Sequence, residues 1–144
     1  MLNFGVKADV TTPVSVCWGS GEPELYVVKA GETYYFDENA IGTDVTIYGD
    51  ITSLLADSYP DSEDIGLSID NKISAVDLSG NELLTKVVLY GNPLSSIDVS
   101  DLVNLEHLDV ATVGDGVLET VNLGYNPKLT ELLSSNNKNA SLDM

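Results

Sequence analysis

A chain of 144 residues, 43% of them apolar, can bury the core of one ordinary domain, or of a small domain joined to a repeat array. Its 23 acidic against 6 basic residues give a net charge of −17, which excludes a reader of nucleic-acid backbone, since that function needs a basic footprint. No run of about 18 apolar residues occurs, so no membrane-spanning helix and no membrane insertion are expected.

The N-terminal residues Met1 to Asp9 lack the charged and apolar regions of a signal peptide; either one was removed or export does not use one. From there to about residue 40 the chain reads as short strands. Val14-Ser-Val-Cys-Trp18 runs into the turn Gly19-Ser-Gly21, Leu25-Tyr-Val-Val28 into Ala30-Gly-Glu32, and Thr33-Tyr-Tyr-Phe36 comes next. β-branched and aromatic residues suit a half-buried pleated surface, and six of the ten aromatics lie here. Residues 1–43 are therefore expected to form a small antiparallel β module packed on the end of the remaining chain. Cys17, the one cysteine, has no disulfide partner and is expected as a small core hydrophobe on a strand.

From residue 44 onward a spacing repeats. Ile73-x-x-Val76-x-Leu78 is followed by Leu84-x-x-Val87-x-Leu89, Leu94-x-x-Ile97-x-Val99, Leu105-x-x-Leu108-x-Val110, Leu118-x-x-Val121-x-Leu123 and Leu129-x-x-Leu132. Residues two apart on a strand face one side and the residue between them faces the other. Neither pair makes a core alone, but stacking successive units at ~4.8 Å closes the backbone hydrogen bonds and buries both. Residues 44–144 are thus expected to be a solenoid of about five turns with two parallel sheets. One would hold Val45, Leu67, Val87, Leu108 and Leu132, and the other Leu54, Val76, Ile97, Val121 and Leu142. Gly, Asn, Pro and Ser between units argue against helices at the same spacing. Residues 57–64 and Ala111 to Gly116 read as insertions that bulge from the stack.

Asn81, Asn92 and Asn126 each come three positions after an apolar pair, and Asn137 three after the matching Leu132-x-Ser134, where an asparagine side chain can bond the turning backbone. Leu102 and Val113 occupy the equivalent place elsewhere and interrupt this ladder. Between the apolar pairs of one sheet the outward residues are Asp77, Asp98, Asn122 and Asp143, an acidic ladder explained by local Ser/Asp bonding or used by a cation or basic partner. On the other sheet they are Thr46, Ser68, Val88, Asp109 and Leu133, flanked by Tyr90 and His107. Val88, Tyr90, His107, Asp109 and Leu133 make the candidate binding face.

No catalytic residue is assigned: His107 and Asp109 have no serine placed as a nucleophile. No metal or cofactor site is assigned either, because residues 57–64 lack the order of a calcium loop, Asp115 reads as a turn residue, and no phosphate-binding glycine loop occurs.

The repeated phrases, among them Ile73-Ser-Ala-Val-Asp-Leu-Ser-Gly-Asn81 and Leu94-Ser-Ser-Ile-Asp-Val-Ser100, resemble the leucine-rich repeat family over residues 45–144. The similarity is to the short 21-residue bacterial type found in Bacteroidetes surface proteins. Val14-Ser-Val-Cys-Trp-Gly-Ser-Gly21 looks like the tryptophan–glycine turn of PKD-like β domains, with Ser20 where that motif has Asp. The resemblance implies a non-enzymatic recognition or adhesion module that binds protein or glycan at a bacterial surface. The alternative is a structural or decoration protein of a phage virion, head or tail fibre-like, docking by its N-terminal module. Either reading places the chain on an exterior surface and allows a homo-oligomer or larger assembly to cover the C-terminal end of the stack.

Overall fold

A computed structural model describes residues 1–39, 44–58, 71–112 and 114–138, with the backbone of residues 141–143. Among these residues every regular element is a β-strand, and the fold is mainly β, built from three sheets.

β1 (Leu2–Lys7), β2 (Thr12–Cys17), β3 (Glu24–Val28) and β4 (Thr33–Glu38) send successive side chains to opposite faces, and one face of each meets a core. β1 pairs antiparallel with β4, and β2 with β3. Inward residues from the two pairs meet in an aromatic cluster. Phe4 and Phe36 stack with centroids 4.7 Å apart, Tyr26 meets Phe36 edge-on at 4.9 Å, and Trp18 lies 5.7 Å from Phe4. Such pairs contribute about 0.5–1.5 kcal/mol each beyond their buried area.

β5 (Thr46–Tyr48) completes a sheet of order β3-β2-β5, pairing antiparallel with β2. β6 (Ser53–Leu55) lies antiparallel to the other edge of β1 and carries β7 (Lys86–Val88) in parallel on its far side. β9 (His107–Asp109) and β11 (Glu131–Leu133) continue in parallel, giving the six-stranded order β11-β9-β7-β6-β1-β4. A third sheet stacks β8 (Ser96–Asp98), β10 (Thr120–Asn122) and β12 (Ser141–Asp143) in parallel.

Register fixes the step between parallel strands. Leu108 aligns with Val87, 21 residues earlier, and Leu132 with Leu108, 24 earlier. In the third sheet Val121 aligns with Ile97, 24 earlier, and Leu142 with Val121, 21 earlier. Both longer steps span Ala111 to Gly116, the insertion expected from the sequence. Side-chain packing has the same spacing. Leu84, Val87, Leu89, Leu94, Ile97, Val99, Leu105, Leu108, Val110, Leu118 and Val121 are all buried, while Ile73 and Val76 before them and Leu123, Leu129 and Leu132 after them are partly so.

Several expectations are corrected. Among the described residues the parallel runs hold four and three strands, where five rungs were expected in each. Val45 and Ile47 do not form a first parallel rung, because β5 closes the open edge of β2, with Ile47 opposite the fully buried Val16, and Thr46 goes with it. That pairing takes one unit out of the count, so Leu54 changes sheets and stands in register with Val87. Val76 lies on no strand: the preceding Ile73 N–H donates to the Asn92 side chain at 3.0 Å rather than to a neighbouring strand. Leu67, Ser68, the acidic stretch after Ser58, Val113 and the side chains of Leu142 and Asp143 lie outside the described residues. Cys17 is half-buried on the outward side of β2, since its neighbours Val16 and Trp18 take the inward positions.

Candidate recognition surface

β7, β9 and β11 each turn the central side chain to the core and the two flanking ones outward, while in β6 the flanking Ser53 is itself buried. Val87 and Leu108 are fully buried, and Leu132 packs against the same core. The outward residues then fall into two columns. Lys86, His107 and Glu131 align in one; Leu55, Val88, Asp109 and Leu133 align in the other. Adjacent members stand one strand spacing apart, ~4.8 Å.

In the first column a hydrogen bond joins two of the members. His107 Nδ1 meets Glu131 Oε2 at 2.7 Å, and His107 is the less exposed partner. The carboxylate accepts, so Nδ1 carries the proton of this bond and Nε2 remains the other ring position. In the second column Val88 is half-buried and Leu133 exposed, and Asp109 stands between them. The surface is therefore mixed in character, because Asp109 divides its apolar side chains. Asp109 Oδ1 also accepts the Ala111 N–H at 3.0 Å, which fixes the turn leaving β9. Tyr90 comes just after β7 as a half-buried residue whose carbonyl accepts the Ser58 N–H at 2.7 Å.

Asp77 and Asp98 use the same device as Asp109. Asp77 Oδ1 accepts from the Ser79 N–H at 3.0 Å and the Ser79 hydroxyl at 2.7 Å; Asp98 Oδ1 accepts the Ser100 N–H at 2.9 Å. The Ser79 hydroxyl, then its N–H, hold the Asp77 carboxyl below the usual range. Asp98 is lowered by the Ser100 hydroxyl and N–H and then by Asn122. Asn122 aligns with Asp98 and donates to its Oδ2 at 2.9 Å, so an amide lies beside this carboxylate in the stack. Among the described residues no group of three or more His, Cys, Asp or Glu side chains could hold a metal ion.

The four asparagines turn inward to the backbone. Asn81 Nδ2 donates to Leu78 O and Ser79 O, both 3.1 Å away and within its own turn. Asn92 is buried and reaches further, to Ala56 O at 2.6 Å and Leu89 O at 3.1 Å, while its Oδ1 accepts the Ile73 N–H. Asn126 donates to Val99 O and Leu102 O, and Asn137 to Val110 O and Ser134 O. At the interrupted place Leu102 is fully buried and its carbonyl is bonded by Asn126. Val99 O and Leu102 O also accept the Leu102 and Leu105 N–H groups, so the loss is that of the side-chain bonds themselves: about 0.5–1.5 kcal/mol each, or about 1–3 kcal/mol for the two that each of Asn92 and Asn126 makes. Asn92→Ala and Asn126→Ala should each lose an amount in that range by urea unfolding. Asn81→Ala, whose bonds are local and near solvent, should lose under about 1 kcal/mol; equal losses at all three would remove the distinction between bonds across the stack and bonds within a turn.

A cleft of about 500 Å³ lies where β1 and β5 approach residues 71–76, lined by Leu2, Phe4, Val45, Leu54 and Ile73 among others. The Asn71 carboxamide at its wall is taken up by the backbone: Nδ2 donates to Asn3 O at 2.7 Å and Asp57 O at 2.9 Å, and Oδ1 accepts the Asn3 N–H. It ties the first strand to the segment before the parallel run.

Two features of this surface are not visible in the spacing: the His107–Glu131 pair and the place of Lys86 beside it. Each partner lies on a different strand, and only the register brings them together. No family model matches the chain, and no curated protein and no solved structure matches it either. No helix among the described residues is long and apolar enough to cross a membrane.

Proposed function

We propose that the chain is a non-enzymatic recognition module, and that its parallel strands are rungs of a leucine-rich-repeat-like solenoid whose outward columns bind a protein or glycan at an exterior surface. The observation that carries this reading is the pair of columns. Three parallel strands turn Val87, Leu108 and Leu132 towards the core and leave six side chains outward in a regular array: Lys86 and Val88, His107 and Asp109, Glu131 and Leu133. A rigid array of alternating donors, acceptors and apolar groups suits surface recognition, since its spacing is set by the backbone and costs little ordering on binding. Steps of 21 and 24 residues between aligned strands support the solenoid reading.

A panel of defined glycans and of purified surface proteins, presented to the chain and to Lys86→Ala and His107→Ala variants of unchanged melting temperature, tests this function. One ligand class should bind the parent and lose at least tenfold in affinity in both variants. Binding that no outward substitution alters would rule out this face. Molar mass by light scattering then separates a stand-alone module, near 15.4 kDa, from an assembly subunit.

A further inference from the structure

The sheet β3-β2-β5 has one face packed on the aromatic cluster and one face turned away from it. Register identifies the outer side chains: Leu25, Ser15 and Tyr48 stand in a row across the three strands, with Val27 beside Pro13 on one side and Cys17 beside Thr46 on the other. None of these seven is charged, although a fifth of the chain is. Leu25 is 70% exposed, Val27 57% and Tyr48 56%. Other outward faces differ. The outer side of β1 and β4 carries Lys7 and Asp37, and the parallel run carries Lys86, His107, Asp109 and Glu131. A charge-free patch with three large exposed apolar side chains is what the centre of a protein interface looks like, with charge confined to the rim.

The rim indicates what covers the patch. Glu22 precedes β3 by two residues, Asp44 precedes β5 by two residues, and Asp50 lies two residues after Tyr48; all three are exposed, and among the described residues Lys29 is the one base next to these three strands. A second copy would bring the same acidic rim and a further net charge of −17 against it. We infer that the outer face of β3-β2-β5 docks a protein partner whose contact surface has an apolar centre inside a basic rim. This goes beyond the recognition reading of the parallel strands, uses none of its residues, and stands or falls separately.

The test uses the full chain labelled with ¹⁵N and two synthetic amphipathic peptides of equal length, one of Leu and Lys, the other of Leu and Glu. At physiological salt the Leu/Lys peptide should give saturable shifts in the backbone amides of β2, β3 and β5, at least tenfold tighter than the Leu/Glu peptide. The double variant Leu25→Thr, Val27→Thr puts a strand-favouring β-branched residue at both positions and leaves every charge in place; it should lower that affinity at least tenfold with an unchanged melting temperature. Tyr48→Thr, on a different strand, is an independent second variant expected to act in the same direction. Shifts on the parallel run instead, equal binding of both peptides, or affinity unaffected by all three substitutions would overturn the proposal. So would a dimer that Leu25→Thr, Val27→Thr dissolves, which would make a second copy the occupant. Co-sedimentation with phosphatidylcholine vesicles that the same variant abolishes would assign the face to lipid and equally overturn it.

Discussion

Leu108→Asp is expected to abolish the cooperative unfolding transition. Leu108 is fully buried and aligned between Val87 on one strand and Leu132 on the next, so the carboxylate would enter the centre of the stack. Losing the leucine costs about 2–5 kcal/mol by itself. An unpaired buried charge adds several kcal/mol more, or forces the group to neutralise. The sum is comparable to the total stability of a domain, roughly 5–15 kcal/mol. Leu133→Asp introduces the same group on the next strand, one position past the central Leu132, where the side chain is outward, and should shift the midpoint only slightly. Thermal melts monitored by circular dichroism separate the two. A sharp, unshifted melt in Leu108→Asp would mean that the aligned strands do not share a packed interior.

Gly91→Ala is the second large effect, and Gly80→Ala is its control. Both glycines have φ of 74°, in the left-handed region that a side chain disfavours by roughly 1–2 kcal/mol. They differ in surroundings. A Cβ on Gly80 would meet open space, whereas a Cβ on Gly91 would collide with the carbonyl oxygen of Ser58. That oxygen belongs to backbone held in place: the Ser58 N–H donates to Tyr90 O at 2.7 Å, and Gly91 N–H donates to Ala111 O at 2.9 Å. Relief requires moving one turn away from the next, which also stretches the bond from Asn92 to Ala56 O. Gly80→Ala should therefore lose about 1–2 kcal/mol, and Gly91→Ala on the order of 3–5 kcal/mol, as expected when backbone strain and overpacking coincide. Urea midpoints at constant m-value measure both. Equal losses would show that the Ser58 backbone yields freely.

Much of the core was legible in the spacing alone. The residues of the Leu-x-x-Val-x-Leu units from Leu84 to Val121 are the buried ones, because a strand alternates sides and a stacked strand has only one dry side. The extra length at Ala111 to Gly116 was legible for a similar reason: the steps that cross it grow from 21 to 24 residues. Where the sequence misled was at the first unit. Val45-x-Ile47 carries the same two-apart pattern as a parallel rung, yet that pattern states which residues go inward and nothing about which strand lies alongside. The free edge of β2 took β5, and the phase of the two sheets changed with it.

The candidate surface divides along the same line. That residues 86, 88, 107, 109, 131 and 133 face outward is a consequence of alternation, a property of each short segment alone. That Glu131 pairs with His107, that Asp109 divides Val88 from Leu133, and that seven uncharged side chains share the outer face of β3-β2-β5 are consequences of register between segments far apart in the chain.

The two Gly-Asn pairs give the sharpest instance. Gly80-Asn81 and Gly91-Asn92 are the same dipeptide at the same place in the repeated unit; the sequence marks both as turns, and glycine admits the positive φ that both adopt. Only the tertiary structure decides that one glycine stands in the open and the other against Ser58, and that Asn81 bonds its own turn while Asn92 reaches across to Ala56. The reason is physical: a turn's conformation is set by local sterics, whereas the packing around it is set by whatever other segment is laid against it.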